Sequence, residues 1–319
     1  MLSDPTRSAD SAFKRLLGLD TKFRSPALAV QVEAIGEFPK LLDQFPFPSL
    51  VNSAFLKLGD LFRTSPNALR YHIAQVFASS RHHLAQITQT EELLKRMLVV
   101  LYSNDSTARV LALRLLGNAS SIFAHFPEAQ HGILLRYQSS HPLEIAAAVQ
   151  ATEALLKYSP GFLEVVWETV LGKANDASVP DSVRVRLIHS LRHAAPRLQL
   201  SSLLYARCQS WVYQPSNTIA LRSAAMDTWR SVLQTHNELQ PDDAERISSL
   251  VLHDLASARH AALTLIGRWR PTEQMLASHP DCAAKVSSRL NSRVETLLQE
   301  DALDHADIEE LRLAILSQD

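Results

Sequence analysis

A short pattern recurs along the chain at a nearly fixed distance: a turn residue, an arginine close to a helix start, then an Ala- and Leu-rich stripe. It appears as Asn67-Ala68-Leu69-Arg70 before Ile73-Ala74, as Asp105 to Arg109 before Ala112-Leu113, and as Asp181-Ser182-Val183-Arg184. Arg222 before Ala225-Met226 and Arg259 before Ala262-Leu263 repeat it. Gln31 and Ile145 hold the same place ahead of Ala34-Ile35 and Ala148-Val149. Positions 31, 70, 109, 145, 184, 222 and 259 are separated by 39, 39, 36, 39, 38 and 37 residues. A helical hairpin of that length cannot bury its apolar face alone and must stack on its neighbours.

Each unit also needs a first helix, and apolar residues at helical spacing supply one. Leu50, Val51, Ala54, Phe55, Leu58, Leu61 and Phe62 form such a stripe after Pro48. Leu93, Leu94, Met97, Leu98 and Leu101 form another, opened by a Thr88–Glu91 capping box. Leu163, Val166, Trp167 and Val170 follow Pro160, and the runs 203–212 and 244–255 are similar. Pro48, Pro66, Pro142 and Pro160 stand at or just before helix starts, where a missing N–H costs little. Strands fit poorly: two-residue alternation is absent, and 8 glycines are few for a turn-rich sheet.

The period matches a HEAT or armadillo unit. The expected fold is therefore all-α, a HEAT/armadillo-like α-solenoid of about seven helical-hairpin repeats spanning 21–270. Residues 1–20 read as a polar segment, partly disordered and then helical near Phe13, Leu16 and Leu17. Residues 271–319 read as capping helices, near 281–299 and 303–317. Their acidic end, from Glu300 to Glu310, suits a cap that faces water.

The charge balance narrows the function. With 32 Lys+Arg against 33 Asp+Glu there is no global pull on a polyanion, so direct nucleic-acid binding is not expected. No window approaches the roughly 18 uninterrupted apolar residues of a membrane span, and the start at Met1-Leu2-Ser3-Asp4-Pro5 lacks a signal peptide's apolar segment. Cys208 and Cys282 make neither a disulfide framework nor a zinc knuckle and fit a reducing compartment. No Gly-x-Ser-x-Gly, phosphate loop or Cys–His pairing occurs. The expectation is a non-enzyme with no catalytic residue, cofactor, metal or small-molecule substrate.

One stretch is more specific than a repeat. Phe38-Pro39, then Phe45-Pro46-Phe47-Pro48-Ser49-Leu50-Val51-Asn52-Ser53-Ala54-Phe55-Leu56-Lys57-Leu58-Gly59-Asp60-Leu61-Phe62-Arg63, resembles the N-terminal region of the Integrator complex subunit 7 family. The likeness continues through Asn67 to Arg70, His83-Leu84, Ile87 and Glu91. It is strong at Ser103 to Arg109 and Leu113 to Gly117, and fades from Glu144 to Val149. Beyond about residue 160 the repeat pattern alone supports it. The resemblance implies a nuclear, non-catalytic scaffold subunit of an assembly that acts with RNA polymerase II in small nuclear RNA 3′-end processing and transcription attenuation. Its partners would be other protein subunits. The fold alone would equally suit an adaptor of cytoplasmic transport or membrane-coat assembly.

Several residues stand out against that frame. Arg70, Arg109, Arg184, Arg222 and Arg259 read as framework, with Asp105 and Asp181 placed for local pairing with Arg109 and Arg184. Pro46 and Pro48 aim Phe45 and Phe47 in different directions, so these rings plug a groove between helix pairs and offer an anchor to a partner. Arg186, His189 and His193 share a stripe opposite Leu187, Ile188 and Leu191. The i, i+4 histidines have a metal-like spacing without an obvious third ligand, so a solvated face is preferred, one that would meet an acidic protein or RNA phosphate. His82-His83 reads as a loop or helix end, and Trp167, Trp211, Trp229 and Trp269 read as core. The Ser-Pro pairs at Ser25, Ser65 and Ser159 read as N-cap serines before a first-turn proline.

Overall fold

The computed structural model describes residues 5–236 and the isolated positions 284 and 288. Arg259, Trp269 and, apart from those two positions, the expected C-terminal capping helices lie outside the described residues. Among the described residues every regular element is helical. The first six helices are α1 (Pro5–Phe23), α2 (Leu28–Gly36), α3 (Phe38–Gln44), α4 (Pro48–Thr64), α5 (Asn67–Ser79) and α6 (Thr90–Leu101). Then come α7 (Ser106–Asn118), α8 (Ser120–Phe123), α9 (Pro127–Arg136) and α10 (Pro142–Leu156). The last described are α11 (Phe162–Asn175), α12 (Asp181–Ser190), α13 (Leu198–Tyr213) and α14 (Ile219–His236). Short 3-10 turns at Arg81–Gln86 and Leu191–Ala194 follow α5 and α12. This is an all-α helical repeat fold. The pieces between hairpins (α3, α8 and the two 3-10 turns) are helical too, which the periodicity does not announce.

The helix ends follow from local chemistry. Phe47 is extended (φ −81°, ψ 128°) ahead of Pro48 in the first turn of α4. At the other end Ser65 is extended (φ −85°, ψ 162°), because the ring of Pro66 disfavours the helical region for the residue before it. The Ser-Pro expectation fails in detail: Pro66 is itself the N-cap of α5, Ala27 is the N-cap of α2, and α11 begins only at Phe162. The Thr88–Glu91 capping box does not form either. The N–H and hydroxyl of Thr88 and the N–H of Gln89 donate instead to Asn52 Oδ1, at 3.1, 3.2 and 3.1 Å. At the N-terminus, α1 begins at Pro5, earlier than the helix expected near Phe13, and buries Ala12 and Leu19.

The chain divides into two compact units, Met1–Thr169 and Val170–Asp319. In the first, the second helices of successive hairpins (α2, α5, α7 and α10) pack side by side, with α4 and α6 paired in the other row. Phe55, Phe62 and Phe77 are fully buried between the rows, each contributing about 1.5–3 kcal/mol. Phe55 and Phe77 meet edge to face at 4.9 Å. Where α7 packs on α10, a Cβ on Gly117 would stand 3.4 Å from Ala151 Cα, at ordinary van der Waals distance from main chain. In the second unit, α12, α13 and α14 enclose Leu187, Ile188, Leu204, Cys208, Trp211 and Trp229. Burial pushes the Cys208 thiol far above its ordinary range, so it stays protonated and unreactive.

Candidate interaction surface

The recurring cations occupy one kind of place. A helix leaves its last four carbonyls without partners, and the side chain at the repeat position reaches back to them. Arg70 Nε donates to Phe62 O at 2.9 Å and Nη2 to Arg63 O at 3.2 Å. Arg184 Nε donates to Ala174 O at 2.9 Å, and Arg222 Nη2 to Gln214 O at 2.8 Å and Pro215 O at 3.2 Å. Gln31 does the same with an amide, donating to Phe23 O at 3.0 Å and Ser25 O at 2.8 Å. Arg222 is only 1% exposed, and burial pulls its guanidinium below its ordinary value.

Arg109 departs from this pattern. Nη1 still takes a carbonyl, Ser103 O at 2.9 Å, but Nε and Nη2 bind the two carboxylate oxygens of Glu144, each at 2.8 Å. Glu144 is 0% exposed and also accepts from Arg136 Nη1 at 3.4 Å and Ser139 Oγ at 2.9 Å. Burial alone would raise its pKa; Arg109, Ser139 and Arg136 outweigh that and hold it below the ordinary 4.5. The expected Asp105–Arg109 pair is therefore replaced. Asp105 caps α7 through the N–H groups of Thr107 and Ala108 and accepts from Asn67 Nδ2 at 2.7 Å. Asp181 does meet Arg184, at 3.2 Å, and its second oxygen accepts from Thr218 Oγ1 at 2.8 Å.

The surface residues fall out differently from their sequence reading. Phe45 and Phe47 do not diverge: their rings lie nearly parallel, 27° apart, with centroids at 6.4 Å. Phe45 is buried at 9% exposure, with the Arg15 guanidinium 6.0 Å above its ring, while Phe47 stays half-buried. The Arg186–His189–His193 stripe is broken because α12 stops at Ser190 and His193 sits in the 3-10 turn Leu191–Ala194. Arg186 is exposed and His189 half-buried. Burial pulls the His189 imidazole below its ordinary 6.5, with the nearby Asp227 opposing, which leaves it neutral at pH 7.

Two features escaped the sequence reading. Arg81, His82, Gly117, Asn118, Lys157 and Tyr158 line a groove at the ends of successive second helices. In its wall Arg81 Nη2 donates to Asn118 Oδ1 at 2.8 Å. Beside it Asp43, His82 and His83 converge, with both imidazole Nε2 atoms on Asp43 Oδ1 at 3.1 and 2.9 Å. The signal that could have found such partners is the period itself. Asp43 precedes the two histidines by 39 and 40 residues, Asn67 precedes Asp105 by 38, and Arg109 precedes Glu144 by 35.

Residues 16–228 match the family described as Integrator complex subunit 7, N-terminal. The human protein named Integrator complex subunit 7 is 32% identical over 251 residues, covering 75% of this chain and 26% of that protein. The Drosophila melanogaster protein of the same name is 32% identical over 193 residues, 60% of this chain and 19% of its own length. A Dictyostelium discoideum homolog is 31% identical over 178 residues, 56% and 17%. The matched stretch thus spans about a quarter or less of the length of these relatives. An engineered protein of known crystal structure aligns with 82% of this chain and 98% of its own at a TM-score of 0.42 and 13% identity, too loosely to bear on fold or function.

Proposed function

The chain belongs to the Integrator complex subunit 7 family, and on that premise we propose that it is a non-catalytic scaffold of an Integrator-like assembly. It holds other protein subunits on its solenoid surface. The processes served are small nuclear RNA 3′-end processing and transcription attenuation alongside RNA polymerase II, in the nucleus. One observation carries this reading: the family match, residues 16–228, runs through the same stretch of sequence that folds as helices α1 to α14. Stacked hairpins spread polar groups over an open surface, which suits them to partners of macromolecular size.

An adaptor of cytoplasmic transport or membrane-coat assembly would share the helical architecture, but the family matched is Integrator complex subunit 7. Affinity purification of the tagged 319-residue chain from nuclear extract, read by mass spectrometry, tests the proposal. Other Integrator subunits are expected among the captured proteins. Recovery of cytoplasmic transport components without them would overturn it.

A further inference from the structure

His82 and His83 lie on the 3-10 turn Arg81–Gln86, and Asp43 lies near the end of α3, one repeat earlier. Solenoid stacking brings these two connectors together, although 39 and 40 residues separate the acid from the imidazoles. His82 Nε2 stands 3.1 Å and His83 Nε2 2.9 Å from Asp43 Oδ1, and the ligand atoms of all three residues lie within 4.8 Å of one another. The two rings are tilted by 45° with centroids 4.0 Å apart, so both present the same edge to the carboxylate. Among the described residues this is the one group of three or more His, Cys, Asp or Glu side chains placed this way.

The two spacings from the carboxylate suit a coordination sphere as well as they suit hydrogen bonds. Ligands about 2.0–2.2 Å from a zinc ion stand roughly 2.9–3.6 Å apart at bond angles between the octahedral and tetrahedral values. Both measured edges from the carboxylate fall in that window. His83 is the anchored member of the group. Its side chain is 5% exposed, and its Nδ1 is buried without a hydrogen-bond partner. The ring therefore engages through Nε2 alone, which it directs at Asp43. Asp43 and His82 are exposed at 60% and 63%, so an ion has an open approach and water can complete its shell.

We propose that Asp43, His82 and His83 form a binding site for a divalent transition-metal ion, with zinc as the fitting occupant, that ties the α3 connector to the 3-10 turn of the next hairpin. Two neutral imidazoles and one carboxylate suit zinc, and the nitrogen ligands select against magnesium and calcium, which take oxygen. The ion replaces the N–H···O contacts, with each Nε2 lone pair turned to the metal; the ring proton then sits on Nδ1, which in His83 is buried without an acceptor, a cost that the metal bonds must exceed. The site depends on no part of the functional proposal above.

The test uses the full 319-residue chain stripped with a chelator and titrated with zinc chloride against a competing chromophoric chelator. One equivalent should bind, zinc should raise the melting temperature, and magnesium chloride should do neither. Both His82→Ala and Asp43→Ala alter exposed side chains, so they should fold as the native chain does without metal. Each should bind zinc at least about tenfold more weakly and lose the thermal response. The variant His189→Ala should leave both unchanged. Cobalt chloride should give a visible absorption band that disappears in His82→Ala. Zinc binding that both variants retain, or no stoichiometric binding by the native chain, would show a hydrogen-bonded cluster and overturn the site.

Discussion

In the turns at Arg70, Arg184 and Arg222 a guanidinium satisfies carbonyls at the end of the preceding helix or in the turn just after it. In the fourth hairpin, α9 with α10, the equivalent position is Ile145, and the carboxylate beside it, Glu144, draws in Arg109 from the hairpin before. In the first arrangement the carbonyl bonds stay inside one hairpin and fasten its two helices, although Arg184 Nη2 also reaches Asn217 Oδ1 of the next turn at 3.5 Å. The second crosses from one hairpin to the next and couples them. Burying a charge without a partner costs far more than losing one neutral hydrogen bond. The two kinds of turn should therefore respond very differently to substitution.

The largest effect is expected from Glu144→Ala, which leaves Arg109 and Arg136 facing a void. A loss of about 3–5 kcal/mol is expected in urea denaturation. The double variant Glu144→Leu with Arg109→Met should lose less than Glu144→Ala alone, because it removes both charges and refills the space. Arg222→Met strands three carbonyls beneath a 1% exposed side chain and should cost about 2–3 kcal/mol. Arg70→Met, in a half-buried turn, should cost about 1 kcal/mol by the same measurement. If Arg70→Met proves as damaging as Glu144→Ala, the distinction between the two turns fails.

Acid sharpens the contrast. The Glu144 pKa is lowered in the folded chain, so its contribution is fully present above the ordinary 4.5 and is lost as pH falls through the folded value. Stability of the native chain should decline there by at most about 1.4 kcal/mol per pH unit from this group. Glu144→Gln should flatten that part of the profile in denaturation curves taken between pH 5 and 3. The smallest effect belongs to an outer link. Asp105→Ala removes an exposed N-cap and its bond from Asn67, and should lower stability by about 1 kcal/mol.

The sequence made the repeat legible because stacking imposes one spacing on every hairpin, and the core positions inherit it. Leu50, Val51, Ala54, Phe55, Leu58 and Phe62 are buried as their stripe requires, while Leu61 at its margin is half-buried. The polar partners were misread where a rule about near neighbours along one helix was applied. Sequence spacing pairs Thr88 with Glu91 and Asp105 with Arg109, yet both bond a hairpin away, to Asn52 and Asn67. In a solenoid, the residue about 37 positions distant is as near as the one four positions distant. Glu144 was overlooked for a related reason. An acid in the first turn of a helix reads as complementing the helix dipole, and nothing in α10 alone reveals that Arg109 lies against it.

Gly117 has a wider consequence. Where it faces Ala151 and Ala154, only glycine and alanine separate the two helices, and a Cβ at Gly117 would lie 3.4 Å from Ala151 Cα. A layer of leucine or methionine can reshape when neighbouring helices tilt; glycine and alanine have no rotamers with which to yield. That joint between α7 and α10 should behave as a weld. Any bending of the first unit under load from a bound protein must be taken up at junctions where longer side chains still separate the helices.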